Sequence, residues 1–218
     1  MELTKVILHN SISIDGSLTG FEPNMGLHYN VVGSYKPQLY LVGSNTVRTG
    51  IEMLGGVPAE EKSDFSKPKK DASLSYWVIP DTKGKLKGML HYCRRYEFCK
   101  DVIVLISERT PKDYVNYLKE RNYDYLVVGE DEVILPNALS VLSEKYAASR
   151  IVADTGRILS NLLIEQGLVS EVSLLIHPVI VGCKSYNMFS NLSRTVNFKL
   201  STKKVFPNGY VWLVYKPQ

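Results

Sequence analysis

Short runs of apolar and β-branched residues alternate along this chain with stretches in which apolar residues return every three or four positions. The runs predict strands at 5–13, 38–42, 76–79, 102–106, 125–128, 150–153 and 171–181. Two more, 196–205 and 210–215, flank Phe206-Pro207-Asn208-Gly209, and Asn-Gly is a hairpin signal because a tight turn needs positive φ. The helical period appears at 111–121, where Thr110 is the expected N-cap, Pro111 the first helical residue, and Tyr114, Val115 and Leu118 share a face. It returns at 135–146 through Leu135, Leu139 and Leu142. It returns again at 158–166 through Ile158, Leu159, Leu162 and Leu163, with Gly167 as the C-terminal stop. These stripes read as core packing.

Strands alternating with helices predict an α/β fold with flanking helices on a mostly parallel central sheet, made mixed by an antiparallel C-terminal hairpin. The segment 55–75 is polar and aperiodic and reads as an exposed insertion. No repeat is visible, so 1–218 is expected to be a single domain.

Composition narrows the partners. With 44% hydrophobic and 22% charged residues the chain is an ordinary globular one. No apolar run approaches a membrane span, and Met1-Glu2-Leu3-Thr4-Lys5 has no secretory pattern, so a cytoplasmic protein is expected. The net charge of +4 suits an anionic ligand. The basic run Lys67-Pro68-Lys69-Lys70 has no interleaved aromatics and reads as a solvated loop rather than a nucleic-acid patch. Cys93, Cys99 and Cys183 have no zinc spacing and read as reduced thiols, with no metal site expected.

Ligands of open α/β sheets bind at the carboxyl ends of strands, beside helix N-termini. Four segments have that form. Ser13-Ile14-Asp15-Gly16 ends a strand on a carboxylate that would accept a bond from a substrate amine or hydroxyl. Gly43-Ser44-Asn45-Thr46-Val47-Arg48 enters a helix whose first amides favour phosphate. Ser107-Glu108-Arg109 follows a strand, and an Arg fork suits a ribose phosphate. Asp154-Thr155-Gly156-Arg157-Ile158 joins a buried strand to a helix, so that the amides of Gly156, Arg157 and Ile158 would seat a pyrophosphate. Each segment also admits an ordinary explanation: a turn at Asp15, caps at Ser44 or Asn45, a solvated Arg109. The four histidines form no recognisable catalytic set. His9 falls in the first strand, His28 and His91 in irregular regions, and His177 at a strand bend before Pro178.

Together and in order, these segments resemble the reductase domain of riboflavin biosynthesis, a family with a dihydrofolate-reductase-like fold. Asp154-Thr155-Gly156 stands where the family has Glu-Gly-Gly. Gly167-Leu168-Val169-Ser170-Glu171 is similar to its Gly-Leu-Val-Asp-Glu. Ser13-Ile14-Asp15-Gly16 matches its Ser-Leu-Asp-Gly, and Gly43 with Thr46 its Gly-x-x-Thr. Gly129 followed by Glu130-Asp131-Glu132 resembles its loop before the next helix. Thr155 departs from the first glycine of the pair. Thr49-Gly50-Ile51-Glu52 lacks the family's Asp-Asp/Asn-Pro turn, and 21–29 departs from the family segment. The HxE and PCxxC signatures of the zinc deaminase domain often fused to this reductase do not occur.

The resemblance implies hydride transfer from NADPH to an imine-like carbon of an opened ribosyl chain on a phosphorylated pyrimidine, in a homodimer. It implies cofactor contacts at Gly43, Thr46, Ser107, Arg109, Gly129, Thr155, Gly156, Arg157 and Ile158, and substrate contacts at Ser13, Asp15 and Arg48. Asp154 and Asp15 are the implied catalytic carboxylates. A related reductase acting on a pterin, a nucleotide-binding protein without catalysis, and a purely structural account of the motifs are the alternatives.

Overall fold

The computed structural model describes Thr4 and residues 6–218; Lys5, the first residue of the expected opening strand, lies outside them. In chain order the elements are β1 (Val6–Ser13), α1 (Met25–Ser34), β2 (Leu39–Leu41), α2 (Ser44–Met53), β3 (Ser75–Pro80), α3 (Leu90–Arg95), β4 (Cys99–Ile106), α4 (Lys112–Glu120) and β5 (Asp124–Val127). There follow α5 (Leu135–Tyr146), β6 (Ile151–Ala153), α6 (Arg157–Glu165), β7 (Val169–His177), β8 (Phe198–Val205) and β9 (Val211–Pro217). The chain divides into two compact units, Met1–Pro37 with Arg150–Gln218, and Gln38–Ser149.

In the first unit the strand order is β6-β1-β7-β9-β8. β1 runs parallel to both β6 and β7, while β9 is antiparallel to β7 and to β8. Val6 and Leu8 of β1 are fully buried, and each such side chain contributes about 1.5–3 kcal/mol. The expected hairpin forms: Asn208 takes φ 62° and the Phe206 N–H donates to the Tyr210 carbonyl. β7 ends at His177, four residues short of expectation, because Pro178 has no N–H to continue the ladder.

α6 closes as its sequence predicts. Gly167, at φ 65°, donates its N–H to the Ile164 carbonyl and Leu168 donates to Leu163, the paired bonds of a glycine C-terminal motif. Its buried face differs from the expected stripe. Ser160, Asn161, Leu163 and Ile164 point inward, whereas Ile158 and Leu162 are exposed. A period of 3.6 fits either face, and packing chose the one carrying Ser and Asn.

In the second unit the order is β5-β4-β3-β2, all parallel. α5 matches its expected span and buries Leu135, Leu139 and Leu142. α4 starts one residue later than expected. Pro111 is its cap, and Thr110 turns back so that its Oγ1 accepts from the Ser107 N–H at 3.0 Å. Tyr117 joins Tyr114 and Leu118 on the buried face. The 55–75 segment is largely exposed but anchored. Asp64 is buried against Arg95, and the Lys70 ammonium donates to the carbonyls of Arg94, Tyr96 and Cys99 at 2.6–2.7 Å. His91 lies in α3, not in irregular chain, and its Nε2 bonds the Pro58 carbonyl at 2.7 Å. Burial pushes the Cys93 thiol up to about 12, which leaves it unreactive.

Candidate active site around Asp154

Asp154 follows the last residue of β6, at the carboxyl end of the strand. Its side chain keeps 21% of its surface while its partner His28 keeps 4%, so the carboxylate is the outward member of the pair. His28 Nε2 lies 2.9 Å from Asp154 Oδ2. A carboxylate oxygen can only accept, so Nε2 carries the hydrogen. On the other side of the ring, Nδ1 is 3.0 Å from Ser11 Oγ of β1. Asn10 ties the same corner down, its amide donating to the Thr155 carbonyl at 3.1 Å and to Asp154 Oδ1 at 3.4 Å.

Burial works against a charge on His28, but the Asp154 carboxylate outweighs it through charge and hydrogen bond and raises the imidazole above its ordinary value. His9, two residues before Ser11 on the same strand face, behaves in the opposite way. Burial first, and then the neighbouring His28 charge, lower it to about 3. The His9 ring stands 4.7 Å from that of His28, with Nδ1 2.9 Å from Ser173 Oγ, which also accepts from the Trp212 indole at 2.8 Å. Environment thus separates two adjacent imidazoles into one neutral and one readily protonated group.

α1 places His28. Its sequence, Met-Gly-Leu-His-Tyr-Asn-Val-Val-Gly-Ser, is a poor helix former with two glycines and two adjacent valines. Two side chains hold its start. Asn24 caps it by accepting from the Leu27 N–H at 3.0 Å, and the Asn24 N–H donates to His177 Nε2 at 2.9 Å. That second bond fixes the His177 tautomer, with Nδ1–H donating to the Leu175 carbonyl at 3.2 Å. Burial lowers His177 and keeps it neutral. The expected irregular chain at His28 is therefore a helix, built by contacts that local sequence does not announce.

α6 begins beside Asp154. Gly156 is its N-cap, and a glycine there makes no side-chain cap bond to the first-turn amides. Thr155 is buried, and its carbonyl also accepts from Ser160 Oγ at 3.1 Å. The Arg157 guanidinium stacks on Tyr186 at 3.9 Å and donates to Ser190 at 2.8 Å, and its Nε is buried with no protein acceptor. An uncapped helix start with an adjacent arginine whose donor set is incomplete fits the phosphates of a dinucleotide.

Asp15 has other employment. Its carboxylate accepts from Ser13 Oγ at 2.6 Å and from the N–H groups of Val181 and Gly182 at 3.1 and 2.9 Å, closing the 181–187 loop over β1. The Ser13 bond and those two amides hold it down at about 2, which makes it a poor proton donor near neutrality. Arg48 reaches Glu52 one helical turn along α2 in an exposed pair at 3.4 Å.

In the second unit, Gly43 is the N-cap of α2, again without a side-chain cap, and Thr46 lies exposed in the first turn. Ser107 is buried in the turn after β4. Gly129 accepts from the Glu108 N–H at 3.0 Å and Arg109 N–H donates to the Glu130 carbonyl, which zips the loops after β4 and β5 together. Gly129 is obligatory: a Cβ there would lie 1.9 Å from the Glu132 carbonyl oxygen, at φ 155°. The Arg109 side chain is exposed and paired with Asp131 and Glu130. Among the described residues no group of three or more His, Cys, Asp or Glu is placed to hold a metal ion, and no helix is long and apolar enough to cross a membrane.

A strand end carrying a carboxylate beside a helix start is the place where open α/β sheets take their ligands. The chain belongs to the RibD C-terminal domain family, whose model matches residues 4–212. Among solved structures it is similar to the riboflavin biosynthesis reductase Rib7 of Saccharomyces cerevisiae, at 17% identity and a TM-score of 0.72 over 100% of this chain and 91% of that one. A pyrimidine reductase-like protein of Corynebacterium diphtheriae matches at 18% identity and 0.71 over 99% and 92%. A deaminase/reductase of Thermotoga maritima matches at 18% and 0.65, over 100% of this chain and 57% of that longer one. No curated protein matches in sequence.

Proposed function

We propose that this protein is an NADPH-dependent reductase that converts the ribosyl side chain of a phosphorylated amino-ribosylamino-pyrimidine to ribityl, as a homodimer. The observation that carries the reading is the Asp154 carboxylate, part-exposed at the end of β6 and directly before the uncapped start of α6. Family membership supports the reaction class, and the names of the Corynebacterium and Thermotoga proteins support the pyrimidine.

Bound NADPH would supply hydride. The chain's part is to seat the phosphates on Gly156, Arg157 and Ile158, to orient the substrate beside Asp154, and to pass a proton from that carboxyl to the substrate nitrogen. Gly43, Thr46, Ser107, Arg109 and Gly129 are the further cofactor contacts in this reading, Thr155 shapes the turn under the phosphates, and Ser13 and Arg48 belong to the substrate side. Asp15 enters as a support for the loop over β1, since its oxygens are already engaged.

Quenching of Trp77 and Trp212 fluorescence by NADPH tests the cofactor, and NADPH oxidation with the pyrimidine phosphate against a dihydropterin tests the substrate. Turnover on the pterin alone would move the protein to another reductase function, and binding without turnover on either would make it a nucleotide binder. Arg109→Ala is expected to weaken NADPH about tenfold more than NADH, the scale of one charge-assisted bond. Titration of the variant with both cofactors checks this, and equal losses would remove Arg109 from 2′-phosphate recognition. Sedimentation of the purified protein decides the dimer.

A further inference from the structure

The pair formed by Asp154 and His28 is more than the reductase reading requires, and it lies where the chain departs from the family segment at 21–29. We infer that His28 is the proton reservoir and positioning residue of Asp154, so that the proton reaching the substrate nitrogen is drawn from the His28 Nε2 through the Asp154 carboxyl. The inference rests on the proposed reductase function and adds to it the source of the proton.

Three features of the geometry carry it. The bond from Nε2 to Oδ2 is 2.9 Å, within direct transfer range. His28 is buried while Asp154 is part-exposed, so on this side the ring reaches the outside only through the carboxylate. Ser11 Oγ, 3.0 Å from Nδ1, holds the ring before and after transfer, because the hydroxyl accepts from the Nδ1–H that both the imidazolium and the ring stripped of its Nε2 proton carry. The other titratable groups around His28 do not compete. His9 on β1 is neutral at 4.7 Å between ring centroids. His177 at the end of β7 is spent on Asn24 and Leu175. Tyr29, on α1 itself, meets the ring edge-on at 5.2 Å. Asp154 is the one acidic group among the described residues in contact with the ring.

The proton balance closes. Hydride from the nicotinamide forms the new C–H bond at the imine carbon, and the cofactor is left oxidised. The π pair of the C=N bond moves to nitrogen, which takes the proton of the Asp154 carboxyl, and the His28 N–H bond breaks to supply it. The pair is left as carboxylate and neutral imidazole, and His28 regains its proton from water. Activity should therefore fall as pH rises through the His28 titration, which Asp154 has moved above the ordinary 6.5.

The first arm of the test uses no turnover. NMR titration of the histidine ring signals in the whole chain should place His28 above its ordinary value, and Asp154→Asn should bring it down; a midpoint indifferent to Asp154 overturns the pair. In the second arm, the alkaline limb of kcat for the unaltered enzyme should coincide with that midpoint, and a mismatch beyond about one pH unit overturns the relay. In the third, His28→Gln keeps a hydrogen-bond donor to Asp154 but has no acidic proton to give up. It should lower kcat about ten- to a hundredfold and abolish the limb, with the NADPH dissociation constant unmoved. A lowered kcat with the limb intact would mean that His28 only orients Asp154. An unaltered protein that reduces no pyrimidine or pterin removes the function and the relay together. Normal turnover with an unchanged limb in the variant removes the relay alone.

Discussion

Asp154→Asn is expected to lower turnover by about two to four orders of magnitude, the contribution of a positioned proton donor, while leaving NADPH affinity within about twofold. The amide is isosteric and still accepts from His28 Nε2 on its oxygen, so α1 and the end of β6 keep their places. What disappears is the only group in the pair that combines exposure with a transferable proton. The amides proposed to seat NADPH, those of Gly156, Arg157 and Ile158, lie two to four residues beyond the substituted side chain, on the backbone at the start of α6. Steady-state kinetics alongside fluorescence titration separates the two quantities. Turnover near that of the unaltered protein would end the claim that a carboxyl at this position takes part in the chemistry.

A second large effect is expected far from any substrate. Arg94→Ala should destabilise the protein by about 3–5 kcal/mol, the cost of stripping one partner from a buried ion pair. Arg94 is buried in α3, with Nε donating to Asp101 Oδ1 at 2.8 Å and its other nitrogens donating to the carbonyls of Asp64, Arg121 and Asn122 at 2.7, 2.7 and 3.2 Å. Its guanidinium also stacks on Tyr123 at 3.7 Å. Alanine leaves Asp101, itself only 5% exposed, without its counter-charge and takes a donor from the carbonyls of Asp64, Ser66, Arg121 and Asn122. Lysine rescues little, because a point charge cannot reproduce a planar fork with this many acceptors. The double change Arg94→Met with Asp101→Leu should recover a large part of the loss, since it removes both charges from the interior. Urea unfolding gives the numbers, and limited proteolysis of 55–75 reports whether that segment loosens with Arg94. A loss under about 1 kcal/mol would show that the fork does not hold it.

Much of this was legible in the residues. Leu135, Leu139 and Leu142 mark α5 to its ends. Gly167 marks the stop of α6 and Asn208-Gly209 the hairpin, because each is a local conformational demand written in one or two residue types. The strand-to-helix corner at Asp154 to Arg157 was also visible, since a glycine between an apolar run and a helical period has few other uses. The 55–75 anchors were not visible. Asp64, Lys70 and Arg94 look like surface residues until α3 and the carbonyls of three loops surround them.

Period, turn chemistry and motif order along the line of residues carry the alternation of strands and helices, the antiparallel end, the family, and the carboxylate at 154. The state of the histidines and the partners of Asp15 come from packing in space. His9 and His28 lie nineteen positions apart, and only the packing of a weak helix against β1 brings them together and gives one of them to Asp154. Asp15 and the amides of 181–182 meet only because β1 and β7 lie side by side. Charge states and hydrogen-bond partners depend on distance and burial in space, and those quantities have no local signature in the order of residues.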